Sequence, residues 1–329
     1  MMTMRMSNVE RFLVVGATGT VGAEVVRALV ERGASVRALV RRTTTLPPGV
    51  EPALGELADR AALARALDGI TGAFFVTPHD PDEEALGVGF VEACEAAGVQ
   101  RIVFAGAMHP YATGRLMNAI LAGLTGLIGP HYRAKLRVEA RVMASAASPV
   151  VLMPSNFYQN DEPFADEIRG GLYPQPLGAR PVNRVDCRDI GDAAARALLE
   201  REAVPSGRWP LVGPAEYGGA QAAAVWSRAL GREVAYAGDD VEAWARRASA
   251  FMTPPKLADF GKTYRVLQRY GARAPKDWHA RTTAILGRPA RRYEEYVEER
   301  ARAWGRIAGD EGQRREDRRE AAEARARVP

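Results

Sequence analysis

Apolar residues occur along the first half of the chain in short runs, and longer stretches of helical period separate them. Phe12–Val15 read as a buried strand, and glycines 16, 19 and 22 lead into a helix from Thr20 to about Arg32. Ser35–Val40 is a second strand announced by Gly33, and Val50–Leu54 a third, weakened by Pro52. A helix from about Asp59 to Leu67 precedes the fully apolar run Gly72–Val76, which suits a strand covered on both faces. A helix from about Pro81 to Ala97 has proline in its first turn and Gly98 past its end. Arg101–Ala105 and Val150–Met153 are further strands, with a helix over His131–Ala147 between them. Beyond these, Asp186–Glu200 reads as a helix with Asp189 as its cap, and Arg208–Gly213 as a strand. Helices at about 218–231 and 240–250 flank a short strand, Val234–Tyr236. Strands alternating with crossover helices predict an α/β fold, a doubly wound parallel sheet.

The glycines carry chemistry in that setting. Gly16 allows a tight turn, Gly19 lets backbone approach a pyrophosphate, and Gly22 lets helix pack on strand. The free N–H groups at the helix start face the phosphates. A site for NAD needs an acid for the ribose 2′-hydroxyl at the end of the second strand. This strand ends in Arg41 and Arg42, two guanidiniums able to fork around a 2′-phosphate, with Arg37 on the same strand in support. The pattern therefore favours NADP over NAD.

Composition narrows the class. The chain has 329 residues, 47% hydrophobic and 26% charged, as in an ordinary globular protein. A net charge of +5 raises nucleic acid as a partner, but the 45 basic residues are scattered among 40 acids with no stripe of bases and aromatics. No nucleic-acid role is expected. No apolar run is long enough to span a membrane. The start MMTMRMSN has no secretory character, and Cys94 and Cys187 read as buried thiols, so a cytoplasmic location is expected. The four histidines, at 79, 109, 131 and 279, lack ligand spacing, and no metal site is expected.

Two stretches depart from the alternation. Residues 107–130, with His109, Tyr111 and the apolar run Leu116–Gly129, read either as a flap over the cleft or as a surface for a partner subunit. Residues 298–329 hold nine Arg and eight acids, and read as a solvated or disordered tail outside the core.

Taken together, GATGTVG (Gly16–Gly22), VRALVRR (Val36–Arg42), GELADRAALARALDGI (Gly55–Ile70), AGVQRIVFAGA (Ala97–Ala107), HYRAKLRVEA (His131–Ala140), PSNFYQN (Pro154–Asn160), VDCRDIGDAAARALL (Val185–Leu199) and GRWPLVGP (Gly207–Pro214) resemble the NmrA-like branch of the atypical short-chain dehydrogenase/reductase family. Order and spacing agree over about residues 10–240. The resemblance implies an NADP-binding Rossmann domain at 8–157, joined by about 182–213. It also implies a smaller, mostly C-terminal α+β substrate domain at 158–181 and 214–297, with ligand between the two. Cofactor contacts are expected at Gly16, Thr18, Gly19, Thr20, Val21, Gly22, Arg41, Arg42, Glu56, Leu57, Thr77, Pro78, Ala105, Lys135, Pro154, Asn156 and Phe157.

In the wider family a Tyr four residues before the Lys donates a proton, aided by Ser or Thr at the end of the fifth strand. Here His131 holds the Tyr position, sharing a helix face with Lys135, and Ala105-Gly106-Ala107 ends that strand. Lys135 is expected to hold the nicotinamide ribose, with His131 or Tyr132 near the reacting group, and Glu139 is expected to be a helix-surface residue or a structural partner. Tyr111 is a further candidate in the flap. The implied activity is NADPH-dependent reduction of a small apolar carbonyl, quinone or conjugated alkene. The alternatives are a catalytically silent NADP(H)-responsive regulator acting through a protein partner, and an isomerase or lyase with bound cofactor. A second copy of the chain is a further candidate partner.

Overall fold

The computed structural model describes residues 10–79, 81–110 and 130–305, with the side chains of Pro130 and His131 outside that description. Six of the apolar runs join a seventh in one parallel sheet: β1 (Arg11–Val15), β2 (Ser35–Val40), β3 (Val50–Leu54), β4 (Gly72–Phe75), β5 (Arg101–Ala105), β6 (Val150–Pro154) and β10 (Gly207–Leu211). Their order is β10-β6-β5-β4-β1-β2-β3, with Phe12 opposite both Val36 and Gly72. Crossovers run through α1 (Thr20–Val30), α2 (Arg60–Leu67), α3 (Glu83–Ala96), α4 (Pro130–Met143) and α6 (Cys187–Leu199). This is the doubly wound α/β architecture, and its order reverses at β1/β4.

Alternation along the strands builds two apolar layers. Phe12, Val14, Leu152 and Val150 face α1 and α6, whereas Leu13, Val15, Val151 and Met153 face α2, α3 and α4. Cys94 and Cys187 are both buried free thiols. Asp59 caps α2 by accepting from the Ala62 N–H at 3.0 Å. At α6 the cap is Asp186, which accepts from the Arg188 N–H at 2.8 Å, rather than the expected Asp189. Asp189, fully buried one turn in, pairs instead with Arg288 and Arg291.

A third apolar cluster is assembled by short elements and helices. These are β7 (Asn156–Phe157), a 3₁₀ turn (Tyr158–Phe164), α5 (Ala165–Arg169), β8 (Leu172–Tyr173), β9 (Val182–Val185), β11 (Glu216–Tyr217), α7 (Gly219–Leu230), β12 (Ala235–Tyr236), α8 (Val241–Ala248) and α9 (Pro254–Tyr270). Two small sheets, β11-β9-β7 and β12-β8, thread it. At its centre lies Asp161, fully buried, which accepts hydrogen bonds from Arg184, Tyr173, Gln175, Trp226 and Tyr293.

Two C-terminal segments differ from expectation. α10 (Lys276–Leu286) falls in the stretch expected for the smaller domain, yet Trp278, Ile285 and Leu286 pack in the two layers on the large sheet. The chain then forms α11 over 293–305, whose Tyr293, Tyr296, Val297 and Ala301 are buried. Trp304 stacks on Trp226 with ring centroids 4.7 Å apart. The start of the charged tail therefore belongs to the core; residues 306–329 lie outside the described residues.

Candidate functional site

The carboxyl ends of the strands set out one row of groups along the sheet edge. At the centre, Gly16 takes φ +80° and its carbonyl accepts from the Gly19 N–H at 2.9 Å. A Cβ on Gly22 would stand 2.0 Å from that carbonyl oxygen, so α1 can leave the strand at this angle only without one. Gly19 opens α1 with no side-chain cap. The first-turn N–H groups, including those of Thr20 and Val21, thus have no side-chain partner at the cap. Thr18, Gly19 and Thr20 line a cavity of about 390 Å³ that Gln159, Arg188 and Arg300 face from the other side.

On one side of this turn β2 ends and Arg41 and Arg42 stand exposed, as a 2′-phosphate clamp requires. Arg37 does not join them. It is buried and bound to Glu51 at 3.0 Å and to the Ala66 and Asp68 carbonyls at 2.8 Å each, stapling β2 to β3 and α2. Gly55 donates to the Val40 carbonyl at 3.0 Å, which brings exposed Glu56 and half-buried Leu57 beside the arginine pair.

On the other side lie the ends of β4, β5 and β6. Thr77 is buried and Pro78 exposed, and Ala105 and Pro154 are buried. Past β5 the chain keeps running beside β6, with Gly106 and Met108 donating to the Leu152 and Pro154 carbonyls at 2.9 Å. Lys135 reaches this edge from α4. Its Nζ donates to Thr77 Oγ1 at 3.0 Å and lies 3.0 Å from Glu83 Oε1, with the Phe104 ring centroid 6.0 Å away. Burial pushes the ammonium below the usual lysine range, while Glu83 pulls it back up.

The remaining named residues have other partners. Tyr132 is half-buried; burial raises its phenol pKa, and its hydroxyl bonds to Thr263 of α9. One turn away on α9, Asp259 pairs with His79 at 2.8 Å, so α9 roofs the edge from β4 to α4. His131 sits on α4 one turn before Lys135, and its side chain lies outside the described residues, as do residues 111–129 of the expected flap, including Tyr111. Glu139 is structural, held between His109 at 2.8 Å and Arg208 of β10. Asn156 Oδ1 accepts from Arg184 Nε at 3.1 Å and the Phe157 carbonyl from its Nη2 at 2.8 Å, which fixes both residues beside the end of β6.

A crevice where the strand order reverses, with an open helix start on one side and a buried ammonium on the other, has the form of a dinucleotide cleft. Residues 8–246 match the NmrA-like family. The chain belongs to that family. Two curated relatives align over nearly their whole length. One is the NAD(P)H azoreductase of Xenophilus azovorans, 31% identical over 89% of this chain and 99% of that protein. The other is the (4-alkanoyl-5-oxo-2,5-dihydrofuran-3-yl)methyl phosphate reductase of Streptomyces griseus, 33% identical over 89% and 98%. Among solved structures, NmrA, a negative transcriptional regulator, in complex with NADP, superposes with a TM-score of 0.72 over 92% of this chain and 98% of that one, at 19% identity.

In this NmrA-like chain the sequence does not single out Glu83, Asp259 and Thr263 of α9, or the Arg184–Asp161 centre that backs Asn156. Glu83 carried a weak signal, an acid in the first turn of a helix next to a strand end. The α9 contacts carried none, because they join distant stretches of chain.

Proposed function

We propose that the protein is an NADPH-dependent oxidoreductase that reduces a small, largely apolar carbonyl, quinone or conjugated alkene. The observation that carries this is the sheet edge itself: an uncapped helix start at a glycine turn, an acid-free strand end bearing Arg41 and Arg42, and a buried ammonium at Lys135, in one row. The donor set fits the phosphorylated dinucleotide, since guanidiniums replace the acid that a bare ribose needs. Two reductases among the full-length relatives support the same reading.

When bound, NADPH supplies a hydride. The chain's residues do the rest. Gly16, Thr18, Gly19, Thr20, Val21 and Gly22 cradle the diphosphate, and Arg41 and Arg42 hold the 2′-phosphate beside Glu56 and Leu57. Thr77, Pro78 and Ala105 form the cleft floor, and Pro154, Asn156 and Phe157 its far wall. Lys135 hydrogen-bonds the nicotinamide ribose, and its charge favours the anionic product of hydride delivery. His131 and Tyr132 border the substrate side of α4. Lacking the Ser and Tyr of related dehydrogenases, the site suits acceptors that need little acid assistance. The glycine turn, arginine pair and sheet belong to a cofactor domain at 8–157 and about 182–213. The substrate meets residues of a second domain drawn from 158–181 and 214–297, apart from α10, which packs on the large sheet.

A purified sample offered NADPH with quinones, azo dyes and enones should consume the cofactor with at least one of them. Tight binding without turnover on any would reject the reductase and favour a regulator acting through a protein partner. That second reading draws on the engagement of Lys135 with Glu83 and on the missing hydroxyl donors. The cofactor assignment has its own test. Replacing Arg41 and Arg42 by Ala should weaken NADPH far more than NADH, and an equal loss for both would reject the 2′-phosphate role.

A further inference from the structure

Glu83 is 1% exposed, at the first turn of α3, and its side chain turns inward. Its neighbour Glu84 does what acids at helix starts ordinarily do, pairing at the surface with Arg137 at 2.8 Å. Glu83 instead accepts from the Thr77 hydroxyl and lies 3.0 Å from Lys135 Nζ, while Lys135 donates to the same Thr77 oxygen at 3.0 Å. The three form a closed triangle of ammonium, carboxylate and hydroxyl. Close packing makes it possible, because a Cβ on Gly87 would stand 2.5 Å from Val138 Cγ2 and 3.0 Å from Thr77 Cγ2. Without a side chain there, α3 and α4 approach until Glu83 meets Lys135.

We propose that Glu83 is a positioning residue that holds the Lys135 ammonium at one point of the cleft and keeps it charged, so that NADPH meets a fixed cation. This rests on the reading of Lys135 as a cofactor contact. A buried ammonium without a counter-charge gives up its proton rather than remain charged. Among the described residues, the nearby carboxylates of Glu139, Asp259 and Glu84 pair elsewhere: Glu139 with His109 and Arg208, Asp259 with His79, and Glu84 with Arg137. Burial acting on Lys135 and the opposing pull of Glu83 agree with this division of labour.

The chain has only four lysines, at 135, 256, 262 and 276, so protein labelled with ¹³Cε-lysine gives a spectrum of four signals. The signal missing in K135M belongs to Lys135. Titrated in wild type and in E83Q, it should show a charged amine near neutral pH in wild type. In E83Q its proton affinity should fall about tenfold or more. NADPH affinity, measured by calorimetry, should stay level across that range in wild type and fall in E83Q in step with the lysine's own midpoint. At lower pH, where the amine is recharged, E83Q should recover. An identical Lys135 midpoint in the two proteins, or a loss of affinity in E83Q equal at every pH, would overturn the proposal. If E83Q does not fold, E83D draws the carboxylate back by one methylene and must lower the midpoint by a smaller amount; no change there overturns it equally. If K135M binds NADPH like wild type, the cofactor role of Lys135 fails. If K135M weakens binding while E83Q matches wild type, only the role of Glu83 fails.

Discussion

Replacing Arg184 by Met should destabilise the protein by about 3–5 kcal/mol, the usual cost of stripping one partner from a buried ion pair. Arg184 has no solvent exposure, and Asp161, 2.8 Å from its Nη2, has none either. Burial opposes the charge on the guanidinium, but Asp161 outweighs it and holds the pKa well above the usual arginine value. Methionine would fill much of the volume but leave a carboxylate with no counter-charge. The remaining donors, Tyr173, Gln175, Trp226 and Tyr293, are neutral and compensate only in part. D161N should cost a similar amount, because it strands the guanidinium. R184M combined with D161N should cost less than the two singles added, by about 2 kcal/mol, since the charge each strands is then gone. Urea titrations followed by tryptophan fluorescence supply the cycle, with Trp226 as reporter, its Nε1 being 3.1 Å from Asp161 Oδ2. A loss below about 1 kcal/mol for R184M, or additivity within about 0.5 kcal/mol, would refute the account of this network as a coupled charge pair.

Three further outcomes follow from the geometry. Gly22→Ala should weaken NADPH about tenfold or more in calorimetry, because its Cβ would force the Gly16 carbonyl to move; unchanged affinity would mean the close approach is dispensable. Burial raises the Glu139 carboxyl pKa, but the bonds from His109 and Arg208 outweigh it and hold the pKa below the usual range. Its contribution to stability is therefore present above the ordinary glutamate pKa and lost as pH falls through the folded value. Acid unfolding followed by circular dichroism should flatten in E139Q, and an unchanged slope would exclude Glu139 as a source. Trp304→Ala should cost about 1–3 kcal/mol in denaturant melts through the lost stack on Trp226, and no effect would return 298–305 to the solvated tail.

What could be read from the chain was what is local. Each strand of the large sheet is a contiguous apolar run beside a glycine or a helix signal, and the glycine turn with Arg41 and Arg42 sits within adjoining stretches. Pairings that depend on which face of an element turns inward were not readable. Arg37 alternates onto the covered face of β2 and is used up there, whereas Arg41 and Arg42, just past the end of the same strand, stay exposed. Asp186 and Asp189 both suit a helix start, and only the approach of Arg288 and Arg291 decides which is the cap and which the ion-pair partner. Glu83 looks like an ordinary acid at a helix start until Gly87 lets α4 come near. In α11 a signal was present and masked, because Tyr293, Tyr296, Val297, Ala301 and Trp304 form a helical stripe inside a stretch dense with charge.

The chain visits its apolar clusters alternately. The described residues of 11–157 serve the sheet, Tyr158–Val182 the third cluster, Val185–Val212 the sheet, and Tyr217–Leu267 the third cluster. Trp278–Leu286 then return to the sheet, and Tyr293–Trp304 close the third cluster. No single cut leaves either body with all of its own pieces. A protease nick in a connecting loop would yield fragments that remain associated, and expression of residues 8–157 alone would lack the α6 and β10 that cover and extend its sheet. The dinucleotide edge and its roof are therefore stitched together by the backbone itself, and the cleft between them is inherited by any folded form of the chain.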